Sequence, residues 1–263
     1  MRQTRLRQIH DLVLESGSAR VSALSTTLKV SEETIRRDLD ELASFGLVRR
    51  IRGGAAAPGT TLTEYPYQVR QQENRREKRA IARVVVDTII TPGSAVALDA
   101  GSTTLEIARA LRGTGVTVVT NSLPILSELI GSNCSVVAVG GVARARSRSL
   151  VGPLAERGVR DFYCDFAFVS APAINATNGP MDTDLEEIEV KRCMVRQSTR
   201  AYAVVDHTKL GRTAFSTICS SSELTGVVTD DGADEGLLSE FRELGLEVVV
   251  ARRDGEGSDG DER

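Results

Sequence analysis

SEETIRRDLDELASFGLVRRIRGG, Ser31 to Gly54, is the stretch that decides the fold. It holds five arginines and five carboxylates. At about 3.6 residues per turn, Ile35, Leu39, Leu42 and Phe45 share one helical face. Glu33, Arg37, Asp40 and Ser44 fall opposite, and Arg36 lies on the flank. Ser31 suits an N-cap, with Glu32 and Glu33 in the first turn, where the helix dipole favours acids. Gly46 is the expected stop. Glu33–Arg37 and Arg36–Asp40 stand at i,i+4 with opposite charges, a spacing worth only ~0.2–0.5 kcal/mol per pair. From this helix alone, a solvated surface and a DNA-reading surface are equally good accounts.

The flanking residues separate them. Upstream, Leu6, Ile9 and Val13 form one helical stripe, closed by Ser16-Gly17. Val21, Leu24 and Leu28 form a shorter one, and Lys29-Val30 turns the chain. A short helix, a tight turn and a longer helix with a free outer face make a helix-turn-helix. That free face opens with Ser31, Glu32, Glu33 and Thr34, small or polar residues able to approach base edges, followed by Arg36 and Arg37. Downstream, Leu47–Ile51 reads as a strand, and Arg49, Arg50 and Arg52 surround the Gly53-Gly54 tip. Such a ribbon has the form of a wing lying on a phosphate backbone or in a minor groove. Surface ion pairs are weak enough for phosphate to recruit these arginines.

Charge is distributed accordingly. The 263-residue chain carries a net charge of -3. Residues 1–56 hold ten Lys and Arg against seven acids, net +3, leaving 23 against 29 in the remainder. A basic module on an acidic body points to a polyanion at the first end only. Aromatics are 4% with no Trp, which argues against a base-stacking platform. The cysteines Cys134, Cys164, Cys193 and Cys219 lie roughly 30 residues apart, a spacing that fits neither a zinc site nor a disulfide framework. No metal or cofactor is expected. No apolar run approaches the roughly 18–20 residues of a membrane span, and the charged N-terminus is unlike a signal peptide. A cytoplasmic protein is the expectation.

Beyond a linker beginning at Ala55–Gly59, Gln68–Ile90 reads as one helix, charged first and apolar later. Thereafter short apolar runs (Ala95–Leu98, Val116–Val119, Ser135–Val139, Phe166–Val169, Ala201–Val205, Gly226–Val228, Glu247–Val250) alternate with helical stretches. Strands buried on both faces and separated by helices imply a layered, mostly parallel α/β sheet. Asp99-Ala100-Gly101-Ser102-Thr103-Thr104 joins a strand to a helix, and a Gly/Ser/Thr loop there either cradles an anion or only caps the helix. Thr120-Asn121-Ser122 repeats the design, and Gly140-Gly141 follows a third strand. Three such loops at the strand ends converge where open α/β sheets bind ligands, which favours a phosphate-bearing small molecule. Of Arg144, Arg146 and Arg148 in the next loop, Arg148 is the one retained as a phosphate candidate. The chain is thus divided into 1–57 (winged helix-turn-helix), 58–90 (linker and coupling helix), 91–251 (effector domain) and 252–263 (disordered acidic tail).

The run VSALSTTLKVSEETIRRDLDELASFGLVRRIRGGAA resembles the winged helix-turn-helix signature of the DeoR family of bacterial repressors. The Val30-Ser31 opening, T-I-R-R-D-L and the G-G-A end of the wing all stand in place. DAGSTT, VVTNS, SLVGP, LEEIEVKR and DHTKLGR resemble the effector domain of the same family. The resemblance implies a ribose-phosphate isomerase/CoA-transferase-like fold, double-stranded operator DNA and a phosphorylated sugar as partners, and a homodimer or homotetramer. It further implies that Asp99 and Ser102–Thr104 line a phosphate end with Asn121 and Gly140-Gly141 beside them, while Glu187, Lys191 and Lys209 face the sugar. For Glu187 and Lys191 a plain i,i+4 ion pair is the alternative, and for Lys209 a surface position. The stretch VSAPAINATNGPMDTDLEE departs from the family: Pro172 replaces a glycine, and Asp182-Thr183 replaces a Thr-Thr pair. A sugar isomerase with a fused DNA-binding arm is the competing function. Asp99, Glu187 and Asp206 are its candidate bases, but no His is well placed: His10 lies in the first helix and His207 has no visible partner.

Overall fold

The computed structural model describes residues 2–45, 47–57 and 65–252, so the expectations for Gly46, for the linker at Pro58-Gly59 and for the tail beyond Arg252 fall outside it. The chain divides into two compact units, residues 1–73 and 74–263.

In the first unit, α1 (Arg2–Glu15), α2 (Val21–Leu28) and α3 (Glu32–Ser44) bury the expected stripes. Leu6, Ile9, Val13, Val21, Leu24, Ile35, Leu39 and Leu42 form its core. Between α2 and α3, Lys29 takes a left-handed φ of 52°, and the Ser25 hydroxyl donates to the Val30 carbonyl at 2.6 Å. The ribbon is β2 (Arg49–Ile51) with β3 (Gly54–Ala56), and a strand not read from the sequence, β1 (Ser18–Arg20), pairs antiparallel with the far side of β3. A Cβ at Gly54 would come within 2.1 Å of the Ala19 carbonyl, so only glycine lets the two strands meet there.

The single helix expected over 68–90 is two. α4 (Tyr67–Gln72) ends before Asn74, which sits at φ 45°, and α5 (Arg75–Thr88) starts anew. Asn tolerates this left-handed conformation better than most residues. Its amide donates to Asp206 at 2.9 Å, a partner 132 residues away that no local pattern could reveal.

The second unit holds a seven-stranded sheet whose six neighbouring pairs are all parallel. Its strands are β4 (Ala95–Leu98), β5 (Thr117–Thr120), β6 (Ser135–Ala138), β9 (Cys164–Val169), β12 (Ser198–Val204), β14 (Gly226–Asp230) and β15 (Glu247–Ala251), in the order β15-β14-β12-β9-β4-β5-β6. α6 (Ser102–Ala110), α7 (Leu123–Leu129), α8 (Pro153–Arg160), α9 (Leu185–Arg196) and α10 (Glu235–Glu243) are the helical stretches of this unit that follow β4. Each expected strand and helix is present within a few residues. Missing from the sequence reading are the hairpin β7 (Val142–Arg144)/β8 (Ser149–Val151) and the small sheet of β10 (Ala173–Asn175), β11 (Gly179–Asp182) and β13 (Ser216–Thr217). The stretch with Pro172 thus folds as a hairpin that ends at Asp182.

Candidate functional site

In the first unit, sequence order places the charges but not their partners. The Ser31 Oγ accepts from the Thr34 amide at 3.2 Å, capping α3 as expected. Neither expected i,i+4 pair forms. Arg36 turns back to Glu32, with Glu33 at 4.0 Å, and Asp40 forms an ion pair with Arg50 at 3.0 Å. Arg50 also donates to the Gly54 carbonyl at 3.1 Å, so one wing arginine braces the ribbon against α3. Asp38 faces inward, buried, with both oxygens on Arg5 at 2.6 and 3.3 Å. It holds α3 to α1 and is not a partner for the outer arginines. Arg37, Arg49 and Arg52 are exposed, and no ion pair joins any of them to another described residue. α3 and the ribbon therefore present Ser31–Thr34, Arg36, Arg37, Arg49 and Arg52 outward, apart from the half-buried Thr34.

In the second unit, the charged groups are buried at the C-terminal ends of β4 and β9. Asp99 follows β4 with no exposed surface. Its Oδ1 accepts from the Gly101 amide at 3.2 Å and lies 2.9 Å from the Thr104 hydroxyl. Its Oδ2 accepts from the Ser170 amide and hydroxyl at 3.1 and 2.7 Å. Gly101 is needed for this closure, because a Cβ there would lie 2.1 Å from the Ser170 hydroxyl. Ser102 and Thr103 are buried at the start of α6, whose first-turn amides have no acceptor within the helix.

Lys191 comes to the same place from α9. Its ammonium lies 2.6 Å from Asp182, 3.0 Å from the Ser170 carbonyl and 3.3 Å from Asp99. The i,i+4 pair with Glu187 gives way to these contacts. Burial alone would lower the Lys191 pKa, but Asp182, Asp99 and Glu187 outweigh it and hold the ammonium charged. Glu187 goes the other way. Its burial pushes the carboxyl upward, with Lys191 and the Ser147 and Ser149 hydroxyls only partly opposing. Ser149 donates to Glu187, and Ser147 lies 2.8 Å from Ser149.

The β5 loop is built from the backbone outward. The Thr120 hydroxyl donates to the Leu98 carbonyl at 2.7 Å, and Ser122 caps α7. The Asn121 amide nitrogen donates to the Leu150 carbonyl at 3.1 Å, while its Oδ1 is buried without a hydrogen-bond partner. Gly141, at φ 137°, closes on Val151, whose carbonyl a Cβ would approach to 2.7 Å, whereas Gly140 borders open space. Gly141 thus serves close packing of the hairpin. Arg148 is exposed, whereas Arg144 reaches the cluster, 2.9 Å from Asp184 and 3.9 Å from Glu187.

A third group gathers at β12 and β14. Burial raises the Asp206 pKa, but Lys209, Lys78, the Thr208 hydroxyl and the Asn74 amide outweigh it and pull the carboxyl down to about 2. Lys209 therefore acts on Asp206. Contrary to expectation, His207 has a partner: its Nδ1 lies 2.8 Å from Asp230 Oδ1, and its amide donates to Asp230 Oδ2 at 2.8 Å. His10 is buried beside the Tyr65 hydroxyl. Sequence reasoning missed Ser170, Ser147 and Ser149 as site residues, read Asp182 only as a departure from the family, and passed over Arg144 in favour of Arg148. Ser170 had a signal, since it follows β9 as Asp99 follows the neighbouring β4.

Such a chain is a two-unit regulator, with an arginine-bearing winged helix-turn-helix followed by a parallel α/β unit that carries a buried polar site. Residues 5–61 match the DeoR-like helix-turn-helix domain, and residues 73–231 match the DeoR C terminal sensor domain. The chain belongs to the DeoR family. It is 36% identical to the HTH-type transcriptional regulator GlpR of Haloferax volcanii over 94% of this chain and 98% of that one. It is 35% identical to the transcriptional repressor AccR of Agrobacterium fabrum over 95% and 97%. It is 33% identical to the glycerol-3-phosphate regulon repressor of Escherichia coli over 88% and 92%. These relatives are named as regulators and not as enzymes, which sets the isomerase alternative aside. No helix among the described residues is long and apolar enough to cross a membrane.

Proposed function

We propose that this chain is a cytoplasmic repressor of carbohydrate-utilisation genes that leaves its operator when a phosphorylated sugar binds the second unit. The exposed arginines carry the first half of the reading. Arg36, Arg37, Arg49 and Arg52 contact operator phosphates or base edges, Ser31–Thr34 approach the bases, and Arg50 both braces the wing and adds charge. A homodimer or homotetramer presents two such units to paired half-sites. In the second unit, the start of α6 with Ser102 and Thr103 takes the phosphate, the Asn121 Oδ1 accepts from the ligand, and Asp182 and Glu187 meet its hydroxyls.

The relatives support the same reading. Two of them are named repressors, one of a glycerol-3-phosphate regulon. Release requires that the effector bind the DNA-free form better, by a coupling of the usual ~1–3 kcal/mol. Residues 58–90, with Asn74 tied to the end of β12, are the coupling segment.

Genome-wide mapping of bound sites, followed by titration of the bound fragments with sugar phosphates, tests the proposal. Discrete sites beside carbohydrate genes and release by a sugar phosphate are expected. Binding to DNA without site preference, or turnover of the sugar phosphate, would overturn it.

A further inference from the structure

We infer that the second unit admits phosphorylated sugars and polyols with a neutral body and rejects the phosphorylated sugar acids of the same carbon chain, with Asp182 as the determinant. This rests on the sugar-phosphate reading of the site given above and adds the chemical class of the ligand's second end.

The geometry begins with donor capacity. An ammonium has three N–H donors. Lys191 gives two of them to Asp182 at 2.6 Å and the Ser170 carbonyl at 3.0 Å, and Asp99 lies 3.3 Å away as a second ion-pair partner. A carboxylate on a ligand would have to compete there with the two carboxylates already paired with the ammonium. Lys191 is therefore a positioning residue that holds two carboxylates side by side.

The acceptors are not equally used. Asp99 takes the Gly101 amide and the Thr104 hydroxyl on one oxygen and the Ser170 amide and hydroxyl on the other, with the Lys191 ammonium 3.3 Å away. Four donors meet the roughly four lone-pair positions of a carboxylate. Asp182 has only the Thr183 amide at 2.7 Å on Oδ1 and Lys191 on Oδ2. Lone pairs remain on it, and they call for donors. Sugar hydroxyls supply donors, whereas a ligand carboxylate supplies only acceptors.

Charge points the same way. Two carboxylates share one ammonium, which leaves an excess negative charge in a buried setting. Arg144 brings a second cation, but it comes with two further acids, Asp184 at 2.9 Å and Glu187 at 3.9 Å. A phosphate held at α6 is one anion, and a second anion on the ligand would be brought up against like charge.

The test uses the full-length protein and matched pairs that differ only in an alcohol or carbonyl against a carboxylate. Suitable pairs are glycerol 3-phosphate with 3-phosphoglycerate, ribose 5-phosphate with 5-phosphoribonate, and glucose 6-phosphate with 6-phosphogluconate. Affinities are read by calorimetry for the wild type and for Asp182→Asn, with melting curves to confirm folding. For each pair that binds, the neutral member should bind at least ~10-fold more tightly, and Asp182→Asn should narrow that gap to less than ~3-fold. Equal or tighter binding of the acid by the wild type overturns the inference while leaving the sugar-phosphate reading intact. A gap unchanged in a folded Asp182→Asn or Asp182→Ser overturns the role of Asp182. Binding of no phosphate compound overturns the underlying reading, and the inference with it. Should both variants fail to fold, the wild-type comparison still decides the ligand class.

Discussion

The two units use charge in opposite ways. On α3 and the wing, Arg37, Arg49 and Arg52 are exposed and unpaired among the described residues, and Arg36 holds only neighbours on its own helix. At the ends of β4 and β9, Asp99, Asp182, Glu187 and Lys191 are buried and bonded to one another or to surrounding groups. Exposed charges contribute little to stability and are at the disposal of a partner. Buried charges cannot be spared, because each lacks water and depends on its protein partners. A surface that meets a polyanion and a site that must be set before its ligand arrives call for these two opposite arrangements.

The sharpest way to break the contrast is Lys191→Met. It strips two buried carboxylates of their cation, and a loss of about 3–5 kcal/mol is expected in urea unfolding. Asp38→Ala tests whether the first unit has a buried charge of the same kind. With Arg5 left unsatisfied, the loss should be about 1–3 kcal/mol in the same measurement. A loss below ~0.5 kcal/mol would place Asp38 with the expendable surface charges.

Acid adds a third probe. The Asp206 carboxyl is held at about 2, below its ordinary value of 3.8. The folded state therefore binds fewer protons there than the unfolded one. Its stabilisation is present above the ordinary carboxylate pKa and is lost as pH falls from about 4 to about 2. Asp206→Asn should flatten the stability profile in that window, and a slope as steep as the wild type's would remove Asp206 as its source.

The smallest effect on stability belongs to Arg37→Ala, within about 0.5 kcal/mol. Its effect on operator binding should still be clear, with a weaker complex and, if the contact is to phosphate, a salt slope reduced by about one. Binding unaltered at every salt concentration would mean that α3 does not face DNA.

Elements whose residues contact one another locally or repeat with a period were legible in the sequence. The stripes of α1 to α3 and the seven strands all rest on spacing within a few residues, and all are present, although the edge strands β6 and β15 are not buried as expected. Contacts across long separations were not. Asp38 falls on the apolar face of α3, but nothing local reveals its partner Arg5, 33 residues upstream. Glu187 at helical spacing was the alternative partner for Lys191, yet its hydrogen-bonded carboxylate is Asp182, delivered by a hairpin whose sequence offers no period. β1 is three residues long and pairs with a strand more than 30 residues away, too little pattern to recognise. The break at Asn74 escaped for the same reason, since its amide answers to Asp206.

The inward turn of Asp38 has a consequence for how such a reader can change. α3 rests on Ile35, Asp38, Leu39 and Leu42, while Glu32, Glu33, Arg36 and Arg37 point away from that base. The two rows share a backbone and no side-chain task. The outer row is therefore open to wholesale exchange, like type in a fixed frame, and a library randomised at those four outer positions can be screened for new operators without refolding the unit that carries them.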